Sequence, residues 1–362
     1  MTSEEAPVVF VGTYTEHKGS ESKGIYVYQM DPASGKLSLE RAVEGIPNPS
    51  YLDFHPRLNL LYAVNELQDF AGEKGGGVSA LSIDSDPRVV LNHQPSHGTD
   101  PCHISVEQTG QFALVANYSS GSAAVFPIQA DGRLGPATDI VQHSGSSVHP
   151  ERQAGPHAHC ILPDPTNRFA IVVDLGLDKF LVYEMDLERG RLNKYAEVEI
   201  RAGAGPRHLT FHPSRKLAYL VNELNATLIG YRYDTETGSF EELQTVPALP
   251  DDFTGENLCA AIKISPDGKF IYASNRGHDS IVCFQIDENT GLLSYRSHAS
   301  TGGKEPRDFA IDPSGHFLLA ANQKSNTIVV FRIDAKSGDL SRTGHEVEIS
   351  MPVCLKFVPL RP

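Results

Sequence analysis

A stretch of nineteen residues, PRHLTFHPSRKLAYLVNEL at 206–224, recurs along this chain, and its recurrence limits the fold more than any other feature. It reads as two antiparallel strands. Arg207 to Phe211 alternates and stops at His212-Pro213, Ser214 to Lys216 turn the chain, and Leu217 to Val221 is apolar enough to be buried on both faces. Asn222 and Glu223 close the second strand. Because the strands run opposite ways, Arg207 and Glu223 belong near the same edge of the sheet. The pattern returns as PSYLDFHPRLNLLYAVNEL at 49–67 and as PRDFAIDPSGHFLLAANQK at 306–324.

An apolar strand followed by Asn or Asp ends at Asn65, Asn117, Asp174, Asn222, Asn275 and Asn322, with spacings of 52, 57, 48, 53 and 47. Stepping back 52 from Asn65 reaches Thr13 in VFVGTYT, a copy whose missing first strand is found in PVCLKFVP at 352–359. Each period adds a third strand, as in GIYVYQMD, GVSALSID, KFLVYEMD and IVVFRID. A more polar fourth follows turns such as SGKL, RGRL and TGSF. Four short antiparallel strands per period of about 50 residues, with Gly/Asp turns and no helical pattern, describe one propeller blade. Residues 1–362 are therefore expected to form a single all-β domain, a seven-bladed β-propeller of four-stranded antiparallel blades. The N-terminal strand joining the last blade would close the ring and leave no large exposed edge. A two-sheet sandwich explains short strands but not this period.

Composition narrows the partners. Acidic residues outnumber basic ones 45 to 31, for a net charge of −14, which argues against a nucleic-acid or anionic-membrane surface. A local basic cluster would then stand out as an anion site. No stretch approaches the ~20 apolar residues of a membrane span. MTSEEAPVVFVG carries acidic residues where a signal peptide needs basic ones, so a soluble, cytoplasmic protein is expected. Cys102, Cys160, Cys259, Cys283 and Cys354 are odd in number and never in a C-x-x-C pair, the pattern of buried thiols in a reducing compartment.

Repeats also line up equivalent positions. The Arg207 position is filled by Ser50, Cys102, His159, Arg207, Ala260, Arg307 and Val353; the Glu223 position by Tyr14, Glu66, Tyr118, Leu175, Glu223, Arg276 and Gln323. With the first strand innermost, both rings face the mouth of the central channel. Converging Arg207, Arg276 and Arg307 suit an anionic ligand, since the guanidinium fork matches carboxylate and phosphate geometry. His159 with Glu223 or Glu66 could supply acid–base chemistry. His157 lies on the same side of the strand, His103 falls one blade earlier at almost the same depth, and Lys304 could add a positive group. A chain of inter-blade salt bridges would explain the same charges, except that they do not repeat around the ring. The repeated Asn residues are expected to accept backbone bonds at a turn, and His55 and His212 to hold the FHP turns. Too few carboxylates accompany the Asn ring for it to be read as a Ca²⁺ site. SGSSVHPERQAGPHAH, with His149 and next to His143, is the longest irregular insertion and a candidate pocket wall.

GTYT, FHP…LYAVNE, GPHAH, GPRHLTFHP, LVNEL and ISPDGKFIYASNRGHDSI together resemble the seven-bladed propeller lactonase family, across the whole chain. That family includes bacterial propeller-type 6-phosphogluconolactonases and fungal 3-carboxy-cis,cis-muconate lactonising enzymes. The resemblance implies a catalytic His, Arg, Glu and Arg, which fall by motif on His159, Arg207, Glu223 and Arg276. It implies hydrolysis of a sugar lactone such as 6-phosphoglucono-1,5-lactone. His159, or Glu223 acting with it, would move the proton, and Arg207, Arg276 and Arg307 would hold the phosphate or the oxyanion. His157, His103, Arg307, Glu66 and Lys304 are the expected substrate-binding groups. No metal or cofactor is demanded, and without a G-x-S-x-G elbow no covalent nucleophile is required. The expected partner is a small anionic lactone, bound by a monomer or weak homodimer with no nucleic acid and no membrane. Carboxymuconate cyclisation is the alternative chemistry. A non-enzymatic interaction propeller of the WD40 type is the alternative class, and it lacks support in a chain with no Trp.

Overall fold

The second strand of each repeat explains the architecture. LLYAVN, FALVAN, FAIVVD and FLLAAN are buried at every position. A strand apolar on both faces needs a packing partner on each side, and here it finds one because each sheet is flanked by two others. The computed structural model, which describes residues 6–83 and 90–359, shows seven four-stranded antiparallel sheets and no helix among those residues. This is the expected seven-bladed propeller.

Blades are numbered here from the N-terminus. The inner strands of blades 2 to 7 are Leu52–Phe54, Pro101–Val106, Ala158–Pro163, Pro206–Phe211, Leu258–Ile264 and Pro306–Ile311. Blade 1 is composite: Val8–Thr13, Gly24–Met30 and Leu37–Glu44 receive Pro352–Phe357 from the C-terminus as their inner strand. Val9 pairs with Phe357 and Val11 with Leu355, so the ring is closed by backbone hydrogen bonds. Gly12 allows the fit, because a Cβ there would stand 2.3 Å from the Pro49 carbonyl oxygen. The acidic turn expected after GVSALSID falls on Asp84, outside the described residues, as does the acidic start of the chain.

Cohesion comes from between the blades. Apolar side chains of adjacent blades interleave, as where Tyr219, Val221 and Leu228 meet Cys259, Ile262 and Ile271. Each such buried side chain contributes about 1.5–3 kcal/mol. Tyrosines of the second strands then reach across: Tyr62, Tyr219 and Tyr272 donate to the carbonyls of Gly132, Gly291 and Gly338 in the next blade. His55 and His212 hold their turns as expected, Nδ1 accepting Leu58 N and Ser214 N; their Nε2 atoms also bond Gly110 and Gly268 of the following blade.

The repeated Asn residues act differently from expectation. Asn65 and Asn275 donate through Nδ2 to the carbonyls of Pro47 and Ala248, rather than accepting backbone bonds. The partner is a loop carbonyl arriving from the preceding blade, which only a donor can satisfy. Asp174 is the exception that shows why: its Oδ1 accepts His157 N, Gly176 N and Leu177 N, and its Oδ2 takes His143 Nδ1 at 2.7 Å. There the incoming loop offers donors, so the position needs a carboxylate. All five cysteines are buried and unpaired.

Candidate active site

The Arg207 position is a break in register. Pro206 pairs with Asn222 and His208 with Val221, leaving Arg207 as the extra residue of a β-bulge. The same break isolates Cys102, His159 and Arg307, and in blade 6 it spans Ala260 and Ala261. A bulge puts two consecutive side chains on one face instead of alternating them. In blades 3, 4, 5 and 7 the inner strand therefore sends both the bulge residue and its successor into the channel. The channel is layered as a result: His159, Arg207, Arg307 and Cys102 at the mouth, then Tyr51, His103, His208 and Asp308 beneath them.

Glu223 is the hub of the mouth. It is buried, 2% exposed, and three guanidiniums converge on it. Arg276 Nη2 donates to Oε2 at 2.7 Å and Arg152 Nη2 to Oε1 at 2.5 Å. Arg207 Nε stands 3.0 Å from Oε2 but off the hydrogen-bonding line, so that contact is an ion pair only. Burial alone would push the carboxyl up; Arg276, Arg207 and Arg152 overcome it and hold Glu223 well below the usual carboxylate range. The GPR motif builds this junction. Gly205 takes φ of +62°, where a Cβ would meet Leu224 Cγ at 2.4 Å, and its carbonyl accepts Glu223 N at 2.7 Å.

Arg207 and Arg276 have little left to offer a ligand. Arg207 Nη1 donates to the Ala260 carbonyl at 2.6 Å, and Arg276 donates to the carbonyls of Leu258 and Cys259. Burial first, then the neighbouring Arg276 and Arg307, lower Arg207 to about 10, still cationic at neutral pH. Arg307 is different. Its guanidinium lies 5.5 Å over the Tyr14 ring and, among the described residues, makes no hydrogen bond or ion pair. Glu66 faces it and accepts Tyr14 Oη at 2.9 Å.

His159 sits among these charges. Burial, reinforced by Arg207, pushes its imidazole well below the ordinary histidine value, so the ring is neutral at physiological pH. Its Nδ1 is 3.6 Å from Cys102 Sγ, and the thiol also approaches the His159 carbonyl at 3.5 Å. Burial raises Cys102 well above the usual thiol range, which makes it a neutral neighbour rather than a thiolate. The ring meets Tyr118 edge-on at 5.2 Å.

The other expected residues divide. His157 reaches the mouth, stacked on Tyr118 at 4.5 Å with Nδ1 bonded to the Tyr118 carbonyl. Glu66 and Arg307 line the cavity with His159. His103 lies one layer deeper than His159, because it is the successor of a bulge residue; it stacks on Tyr51 at 4.1 Å. Lys304 is exposed on the loop before Pro306, outside the residues that line the cavity.

Tyr14, Tyr118 and Arg152 belong to the site and escaped the expected set. The aligned ring displayed the two tyrosines, but a tyrosine does not announce itself as a ligand group. Arg152 had no repeat position at all. It rides on the insertion at 144–157, which Gln153 fastens to the Leu175 carbonyl and Ser147 to Asp178. Only the length of that insertion pointed to it.

At the other end of the channel is a larger cavity of about 500 Å³, lined among others by Asp53, Lys263, His208 and Lys356. Lys263 pairs with Asp308 at 2.8 Å and Lys356 with Asp53 at 3.4 Å. Each aspartate also accepts a backbone N–H from the next blade, Asp308 from Leu355 and Asp53 from Val106. Among the described residues, no group of three or more His, Cys, Asp or Glu side chains is arranged to hold a metal ion.

Comparison with known proteins agrees with this architecture. The family model described as "Lactonase, 7-bladed beta-propeller" matches residues 8–357. The 6-phosphogluconolactonase of Bacillus subtilis is 39% identical over 351 residues, 96% of this chain and 97% of that protein. The structure of the periplasmic gluconolactonase of Pseudomonas aeruginosa superposes with a TM-score of 0.89 at 35% identity, covering 98% and 99% of the two chains. A Lactobacillus plantarum protein superposes with a TM-score of 0.90, also at 35% identity, over 98% of this chain and 100% of that one.

Proposed function

The chain belongs to the seven-bladed β-propeller lactonase family and is a lactonase, and we propose that its substrate is 6-phosphoglucono-1,5-lactone. The observation that carries the choice is the charge of the mouth. With Asp308 below them already paired to Lys263, Arg152, Arg207, Arg276 and Arg307 against Glu66 and Glu223 leave an excess of +2, in a chain whose net charge is −14. A phosphomonoester brings about −1.5 to −2 at neutral pH and would neutralise it. An unphosphorylated sugar lactone brings nothing.

The side chains then take these parts. Glu223 is too acidic to be the base; it holds Arg207 and Arg276 in place. His159, neutral and with Nδ1 turned toward Cys102 and its own backbone, offers Nε2 to the attacking water. The water oxygen adds to the lactone carbonyl carbon as His159 takes its proton. Negative charge gathers on the former carbonyl oxygen, and Arg307 is the guanidinium with donors to meet it. Collapse breaks the bond from that carbon to the ring oxygen, which takes the proton back from His159, giving 6-phosphogluconate. The gap among His159, Arg207, Arg307 and Glu66 is about 10 Å³, room for one water, so the sugar ring rests above it at the rim.

The test is turnover of freshly generated 6-phosphoglucono-1,5-lactone by the wild type, His159→Gln and Arg307→Met, with and without EDTA. Rapid hydrolysis that EDTA leaves intact and either substitution abolishes is the expected result. A wild-type rate no greater than spontaneous opening overturns the assignment, and carboxymuconate would be assayed next.

A further inference from the structure

We infer that Arg152 recognises the substrate's phosphate, exchanging its bond to Glu223 for a forked pair of bonds to the phosphomonoester. This rests on the sugar-phosphate reading above and goes beyond it, by separating the group that binds the phosphate from the groups that act on the lactone.

Four arginines reach the mouth, and three are committed elsewhere. Arg207 and Arg276 are held by Glu223 and by the carbonyls of Ala260, Leu258 and Cys259. Arg307 lies over Tyr14 beside His159, at the end where the carbonyl reacts. Arg307 is also unbonded among the described residues but lines the gap at His159, whereas Arg152 stands outside that gap: its side chain is 33% exposed against 3% for Glu223, and one Nη2 serves both Glu223 and the Tyr118 hydroxyl. Nε and Nη1 carry no bond among the described residues, which leaves one edge of the guanidinium fork open to a phosphate.

The exchange is feasible because Glu223 does not need Arg152. When the outer guanidinium swings away, Arg207 and Arg276 still face Oε2 at 3.0 and 2.7 Å, so no buried carboxylate is stranded. The backbone beneath stays fixed. Gln153 Nε2 bonds the Leu175 carbonyl, Gln153 Oε1 accepts His149 N, and His149 Nδ1 accepts Arg152 N. A rigid loop presenting one long cationic side chain over the rim is suited to grip the far end of a substrate whose near end lies at His159. Tyr118, already bonded to Arg152, would supply a second donor to the phosphate.

The experiment compares Arg152→Ala and Arg152→Lys with wild type on 6-phosphoglucono-1,5-lactone and on unphosphorylated glucono-1,5-lactone. Arg152→Ala should raise KM for the phosphorylated lactone at least tenfold more than for the other, with Arg152→Lys recovering part of the difference. An equal effect on both lactones, or none, overturns the inference. Thermal unfolding with inorganic phosphate needs no turnover: phosphate should raise Tm of the wild type and not of Arg152→Ala. The same shift in both proteins, or no shift in the wild type, also overturns it. If the wild type opens neither lactone, the sugar-phosphate reading fails on that result, and the phosphate shift still decides the part played by Arg152.

Discussion

The two ends of the central channel are lined by the same inner strands a few residues apart, yet they handle charge in opposite ways. At the far end Lys263 meets Asp308 and Lys356 meets Asp53, one cation to one anion, and each carboxylate is completed by a backbone N–H of the next blade. At the mouth three guanidiniums share Glu223, and a fourth, Arg307, faces Glu66 without an ion pair among the described residues. The far end is balanced and the mouth is not. Balanced charge across blade boundaries ties the ring together, whereas uncompensated charge is an expense that only a ligand offsets. The far cavity is much the larger of the two.

The largest effect that should break this contrast is Glu223→Gln. It leaves three guanidiniums facing one another in a buried site, so a stability loss of about 3–5 kcal/mol is expected in denaturant titrations, with activity lost as well. His159→Gln should cost about 10²–10⁴-fold in kcat while the unfolding midpoint barely moves, since the neutral imidazole carries no ion pair. At the far end the pattern should invert. Lys263→Met strands Asp308 with a single backbone bond, costing about 1–3 kcal/mol of stability, a larger change than in kcat/KM.

Acidity sharpens the comparison further. Burial lowers His103, His159 and His208 well below the ordinary value, so the unfolded chain binds protons at these positions where the folded chain does not. Stability is therefore complete above pH ~6.5 and falls as pH drops below it, by up to about 1.4 kcal/mol per pH unit for each group. Thermal unfolding between pH 7.5 and 5 measures this. The acid limb of kcat/KM should lie well below pH 6.5, because His159 keeps its free nitrogen there; a limb centred near 6.5 would remove His159 as the base. The smallest effect belongs to Lys356→Met. Its pair with Asp53 is long, at 3.4 Å, and partly solvated, so less than about 1 kcal/mol is expected from chemical denaturation.

How much of the site could be read from the chain follows the repeat. Arg207, Glu223, His159 and Arg276 were legible because a periodic fold assigns each residue a place by counting. His103 was misjudged in depth because counting treats the strand as regular, and the bulge at Cys102 sends two successive residues inward. The Asn positions were recognised as structural, but their donor role depends on a carbonyl delivered by another blade.

The sequence by itself determined the number of blades, the strand order within each, and the closure of the ring by Pro352–Phe357, because period and hydrophobic alternation are local properties. Tertiary structure decided the rest. Arg152 meets Glu223 across 71 residues, and Arg276 meets it across 53. Which charges are paired and which are left over is a property of such distances. It decided that Glu223 is shared by three guanidiniums, that Arg307 makes no hydrogen bond or ion pair among the described residues, and that Lys304 stays outside the cavity. No spacing along the chain encodes a charge balance that exists only once seven blades face one another around a channel.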